Sequence, residues 1–177
     1  MDSTDLHWCP GIGNGYAPTG EQIKVDSPGK EDPWCALFGS LIYPTGEGVY
    51  TIHERKRHQE VAAHLKLLIE RDPAAFWFIV IDNAPAHTTI MLEDLLSPYQ
   101  DRTELVFLPT YSPHLNLIER LWRLMRGQMT KNQFYPSLKA LCEAVVDWLD
   151  KLPFSKFCSL LGIDESTLVF APPLASI

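Results

Sequence analysis

AFWFIVIDNAPAH, residues 75–87, opens with an uninterrupted apolar run of strand length, Ala75 to Ile81, and breaks abruptly at Asp82-Asn83-Ala84-Pro85. Such a run predicts a strand buried on both faces, the pattern of a sheet covered by helices on either side. Upstream, Val61, Leu65, Leu68 and Ile69 fall at helical spacing within Lys56–Arg71, and Asp72-Pro73 supplies the stop. Before that helix, Cys35–Tyr43 and Gly48–His53 read as strands split by Pro44-Thr45-Gly46-Glu47, which suits a hairpin turn. Residues 5–33 are rich in Gly and Pro and predict loops around at most one short strand. The GIGNG run within them has no Lys-Ser/Thr after it and no apolar strand before it, so it reads as a turn-rich loop and not a phosphate loop.

Downstream, a second helix is predicted over His87–Leu96 and a strand over Glu104–Leu108, closed by Pro109. Ile118, Leu121, Trp122, Met125 and Met129 mark one face of a third helix, and Leu138, Leu141, Cys142, Val145, Trp148 and Leu149 mark a fourth. Residues 153–177 give a short helix and an apolar tail. Hairpin, helix, strand, helix, strand, helix, helix is the order of an α/β sheet with an antiparallel meander first and parallel crossovers after it.

A length of 177 residues with 46% hydrophobic content suits one soluble α/β domain with a small appendage. No segment approaches the ~18 uninterrupted apolar residues of a membrane span, and Met1 is followed by Asp2 and Asp5 and not by a basic, then apolar, leader. A cytoplasmic protein is expected. Cys9, Cys35, Cys142 and Cys158 show no C-x-x-C spacing, so disulfides and a zinc site are poorly supported, and His7 with Cys9 supplies only two candidate ligands. The net charge of −7 argues against holding nucleic acid by bulk charge, so any basic surface must be local. Arg120, Arg123, Arg126 and Lys131, with no acidic residue between them, offer one, and Arg55-Lys56-Arg57 a smaller one; each also reads as an ordinary solvated face or turn.

Ligands of open α/β sheets gather at the carboxyl ends of the parallel strands, where Asp82 sits. A carboxylate held there can bind a hard divalent cation, or can simply close an Asx turn with Asn83. Glu119 follows Asn116 by three, which fits a capping box, and it could pair with Arg123 one turn on. On position alone these bland roles do as well or better.

The stretches IVIDNAPAH (79–87) and LPTYSPHLNLIERLW (108–122), taken together and in this order, resemble the DDE superfamily of transposases, in particular the mariner-related bacterial insertion-sequence group. Upstream, MDSTDLHWCP, GYAPTGEQ and SPG resemble the family's first catalytic segment, in which an Asp ends the first strand. That makes Asp2 the first carboxylate, with Asp5 as its competitor. Ser3 stands where an acidic residue is common, Thr110 where a second Pro is frequent, and Leu117 where Pro precedes Ile-Glu, which removes a favourable first-turn Pro.

The resemblance implies an RNase H-like fold with a mixed five-stranded sheet flanked by helices. It implies a catalytic core over 1–131 and a C-terminal helical extension over 132–177 packed on it. It implies Asp2, Asp82 and Glu119 as catalytic, metal-binding carboxylates for two Mg²⁺ or Mn²⁺ ions. Tyr111, His114, Arg123 and Arg126 become candidate DNA contacts, and Asn83, His87 and Asn116 candidate supports of the site. The implied activity is metal-dependent cleavage of transposon ends and strand transfer into target DNA. DNA is then the partner, a homodimer the candidate assembly, and neither a membrane nor a small-molecule substrate is expected. In this fold a first strand of about five or six residues leads into the Asp, and only Met1 precedes Asp2, so that strand is expected to be largely truncated. The rival reading is a catalytically inactive transposase remnant acting as a folding or interaction domain. A small phosphohydrolase with Asp82 as nucleophile is a weaker rival, because it lacks a second nearby Asp.

Overall fold

The structure is a computed structural model that describes residues 1–162 apart from Ile23, Pro44, Thr89 and Tyr111. Helices cover both sides of the three-stranded part of the strand layer and one side of the rest. Strand β1 (Asp2–His7) pairs antiparallel with β2 (Trp34–Leu41), Asp2 lying opposite Gly39 and His7 opposite Trp34. β2 pairs antiparallel with β3 (Gly48–His53), so the predicted hairpin is present. β4 (Trp77–Ile81) pairs in parallel with β5 (Thr103–Phe107), as the crossover order requires.

Two expectations need correction. The first strand does not end at Asp2: it runs onward from Asp2 to His7, through residues whose polar composition (DSTDLH) hid the alternation of buried Asp2, Thr4 and Leu6 with more open Ser3, Asp5 and His7. Nor do the strands form one mixed five-stranded ladder. They form a three-stranded antiparallel sheet and a two-stranded parallel one. The Met1 amino group donates to the Val80 carbonyl at 2.8 Å, which joins the start of β1 to β4. Beside this seam lies an apolar cavity of about 710 Å³, lined among others by Met1, Leu41, Ile42, Trp77, Phe78 and Leu117.

On one side of the sheets, α1 (His58–Glu70) and α2 (Ile90–Leu96) bury Val61, Leu65, Ile69 and Leu92 against Phe38, Val49, Ile79 and Ile81. His64, fully buried on α1, bonds Ser40 Oγ (2.9 Å) and Thr51 Oγ1 (2.8 Å), so both ring nitrogens are satisfied and the helix is tied to β2 and β3. On the other side, α3 (Ile118–Met125), α4 (Leu138–Asp150) and α5 (Phe154–Leu161) pack Leu121, Trp122, Met125, Leu141, Val145 and Phe157 onto Leu6, Cys35 and Leu37. α3 runs on into a π turn over Arg126–Thr130, and the Ser137 hydroxyl caps α4 by accepting from the Ala140 N–H at 3.1 Å. The GIGNG segment is a loop, held by Asn132: its side chain accepts from the Gly13 N–H (2.9 Å), and its backbone N–H donates to the Gly11 carbonyl (2.8 Å).

β2 is the strand buried on both faces. β4, whose unbroken apolar run predicted that role, alternates instead: Ile79 and Ile81 are buried, while Phe78 is 66% and Val80 41% exposed. The run hid the alternation because both faces carry apolar side chains, although α1 and α2 cover only one. Ile81→Ala is therefore expected to lower the unfolding free energy by about 2–5 kcal/mol and Phe78→Ala by less than about 1 kcal/mol, read from denaturant melts.

Candidate active site

Asp82 follows Ile81, the last residue of β4, which is fully buried and anchors the strand end. Its Oδ1 accepts from the Ala84 backbone N–H at 3.1 Å, an Asx turn, and from His87 Nδ1 at 2.6 Å. His87 is buried in a 3₁₀ turn over Pro85–His87, and the same Nδ1 lies 3.2 Å from the Asp82 carbonyl. Both partners are oxygens that only accept, so Nδ1 carries the proton. The His87 hydrogen bond, seconded by the Ala84 N–H, holds the Asp82 carboxyl below its usual range despite partial burial. Asn83 donates to the Leu108 carbonyl, and the Leu108 N–H donates to the Ile81 carbonyl at 2.8 Å, so the turn is braced against the end of β5. The turn and the site are the same object: the Asx geometry uses Oδ1 and leaves the side chain 42% exposed.

Asp2 is buried, with 6% of its surface exposed. The Trp122 indole N–H donates to its Oδ2 at 3.1 Å. Burial pushes its carboxyl up to about 6; the Ser3 N–H opposes this, and the charges of Glu119 and Asp82 add to it. Asp2 and Asp82 are thus driven in opposite directions by their surroundings. Asp5 occupies the alternate, open side of β1 and pairs with Lys56 at 2.8 Å.

Glu119 stands in the first turn of α3 with its side chain 36% exposed. Its ion-pair partner is Arg126, at 3.7 Å, and not Arg123; Arg126 also donates to Thr4 Oγ1 at 2.8 Å. The expected Asn116 capping box is not formed. Leu117 holds the N-cap position in helical geometry, and the buried Asn116 amide donates to the Met1 carbonyl at 3.2 Å. A buried backbone carbonyl needs a donor more than an accessible helix end needs a cap. Asn116 and Trp122 together fasten α3 to the start of β1. Arg123 is exposed on α3, and His114 is exposed in a 3₁₀ turn over Pro113–Leu115. Tyr111 lies outside the described residues.

Sequence reasoning missed Trp122, Thr4 and Gly39. Trp122 follows Glu119 by three and so shares its helix face; the sequence places it on the apolar face and within the family-like motif but assigns it no role at the site. Gly39 carried no signal, because its role depends on a ring that reaches it from α3.

Carboxylate oxygens suit a hard divalent cation, and a buried Asp2 whose ionisation is opposed by two neighbouring acids is a place where positive charge would be favoured. Among the described residues, no three His, Cys, Asp or Glu side chains stand close enough together to hold an ion as they are. Asp82 and Glu119 are partly exposed, while Asp2 is fixed. The donors fit the chemistry of such an ion, with Asp2, Asp82 and Glu119 as the residues that would hold it.

Residues 1–142 match the family model described as DDE superfamily endonuclease, and the chain belongs to that family. It is 26% identical over 155 residues to the insertion element IS630 uncharacterized 39 kDa protein of Shigella sonnei, covering 86% of this chain and 45% of that protein. It is 29% identical over 105 residues to the uncharacterized protein y4pE/y4sA of Sinorhizobium fredii (strain NBRC 101917 / NGR234), covering 58% of this chain and 73% of that one. In fold it is similar to the Mos1 transposase paired-end complex with left transposon end, with a TM-score of 0.69 at 16% identity over 91% of this chain and 50% of that one. It is also similar to the Mos1 mariner paired-end complex with Mn, with a TM-score of 0.66 at 16% identity over 91% of this chain and 50% of that one. The chain thus spans about half the length of the Shigella relative and of these Mos1 chains. No helix among the described residues is long and apolar enough to cross a membrane.

The raised Asp2 carboxyl gives a pH prediction. Its folded form binds a proton more tightly than the unfolded chain, so Asp2 lowers stability as pH rises through about 4 to 6, and the full penalty is present above that. In metal-free buffer Asp2→Asn is expected to gain about 2 kcal/mol of unfolding free energy over wild type between pH 4 and pH 7.5. Parallel pH profiles for the two proteins would contradict it.

Proposed function

We propose that this chain is the catalytic domain of a DNA transposase, cutting transposon ends and joining them to target DNA with Mg²⁺ or Mn²⁺. The observation that carries this is the placement of Asp2, Asp82 and Glu119: three acids from β1, the end of β4 and α3, near enough that Glu119 and Asp82 both oppose ionisation of Asp2. Membership of the DDE endonuclease family supports it, as does likeness of fold to Mos1 transposase complexes. An RNase H-like fold goes with this reading, with residues 1–131 as the core and 132–177 as its helical extension.

Divalent cations bound there would supply an activated water or DNA 3′-hydroxyl and neutralise charge on the phosphate under attack. The chain's own residues orient the acids. His87 holds Asp82 by Oδ1 and keeps it ionised; Arg126 sits beside Glu119 and reaches Thr4 on β1, bracing helix against strand. With Arg126 engaged in this way, the exposed Arg123 and His114, and Tyr111, three residues before His114 in the sequence, are the better candidates for DNA backbone contacts. These would position the duplex without reading its sequence.

In a full-length protein carrying this domain, Asp82→Asn is expected to slow cleavage of element ends by more than about a hundredfold, beyond the loss usual for outer-shell partners. Cleavage at the wild-type rate would refute the assignment. In the chain itself, Mn²⁺ at a hundred times its Kd is expected to stabilise the fold by about 2.7 kcal/mol, and Glu119→Gln to abolish that gain in a thermal melt.

A further inference from the structure

The Trp122 side chain is fully buried, which an ordinary core tryptophan would also be. Its setting is less ordinary. The indole N–H is spent on the Oδ2 of Asp2, a contact spanning 120 residues of sequence. The far edge of the same ring lies over Gly39, where an added Cβ would come within 2.6 Å of the ring and 2.9 Å of the Ile118 side chain. Gly39 is the register partner of Asp2 on the adjacent strand. Strand β2 thus leaves out a side chain at a position that the ring fills while its N–H reaches the carboxylate. Asp2 has two rotatable side-chain bonds. A hydrogen bond from a fully enclosed ring restrains the Oδ2 end of that side chain, since the donor cannot move without displacing Gly39 or the Leu121 and Met125 layer around it.

We propose that Trp122 is a positioning residue for Asp2: its indole N–H, seated on Gly39, holds the carboxylate in the orientation in which it takes part in binding a divalent cation. This rests on the reading of Asp2, Asp82 and Glu119 as a cation site. It adds that the geometry of the most buried acid is set from α3, the helix that also carries Glu119, so one rigid element places two of the three acids. Gly39 belongs to the same device through its lack of a side chain.

The test is Mn²⁺ titration of the chain, read by the electron paramagnetic resonance of free Mn²⁺, for wild type, Trp122→Phe and Leu121→Val. Trp122→Phe keeps a ring in the core and removes the N–H. Leu121→Val loosens the same fully buried layer of α3 without touching Asp2 and serves as the control for stability loss, which thermal melts measure for both. The expected result is an Mn²⁺ Kd about tenfold weaker in Trp122→Phe, the scale of a lost outer-shell hydrogen bond, with Leu121→Val within twofold of wild type. An unchanged Kd in Trp122→Phe overturns the proposal, and so does an equal loss in both variants, which would make Trp122 a core residue only. Failure of wild type itself to bind Mn²⁺ overturns the cation site and this proposal with it, a pattern distinct from failure of the proposal alone.

Discussion

A carboxylate cannot be buried without a donor or a positive charge to hold it, and the burial of Asp2 is the constraint around which the rest of this molecule is arranged. The acid opens a strand whose inward positions, Asp2, Thr4 and Leu6, all face the helices on the α3 side, so the polar end of that row must be met by polar groups from α3. Trp122 meets Asp2 and Arg126 meets Thr4, while Leu6 joins the apolar cluster beneath. Asn116, just before α3, donates to the carbonyl next to Asp2. The helix is therefore registered on the strand by three polar contacts, and Glu119 comes to the site as a consequence of that registration.

The second constraint is at the end of β4. Asp82 leaves the strand in a turn that it closes with its own Oδ1, and His87 returns to the same oxygen from a buried position. This holds one acid ionised while burial works against the other, a separation of environments that lets two identical side chains behave differently. Asp2 opens β1 and Asp82 follows β4, strands joined at the Met1 to Val80 hydrogen bond; α1 and α2 pack against Met1, Ile79 and Ile81 there, while α3 to α5 pack on the three-stranded sheet.

Much of this was legible in the order of residues. The hairpin, the helices over 58–70, 118–125 and 138–150, and the parallel β4–β5 pair follow from periodicity and stop signals. Asp82 stood out through the motif around it, because from its place after an apolar run alone a plain Asx turn reads as well. What could not be read shares one cause, that the deciding partner is far away in sequence. The course of β1 beyond Asp2 was not legible because its inward row is Asp, Thr, Leu, a pattern that makes sense only once Trp122 and Arg126 are beside it. The capping reading of Asn116 was chemically sound locally and lost to a carbonyl 115 residues away. β4 read as doubly buried because hydrophobicity reports what a face could bury, not whether a helix covers it.

The central claim is that Asp2, Asp82 and Glu119 form one cation site. The most direct measurement is an anomalous difference map from crystals of the chain soaked in Mn²⁺. The account predicts a peak bonded to carboxylate oxygens of Asp2 and at least one of Asp82 and Glu119. Mn²⁺ bound only elsewhere, or no peak at saturating concentration, would contradict it.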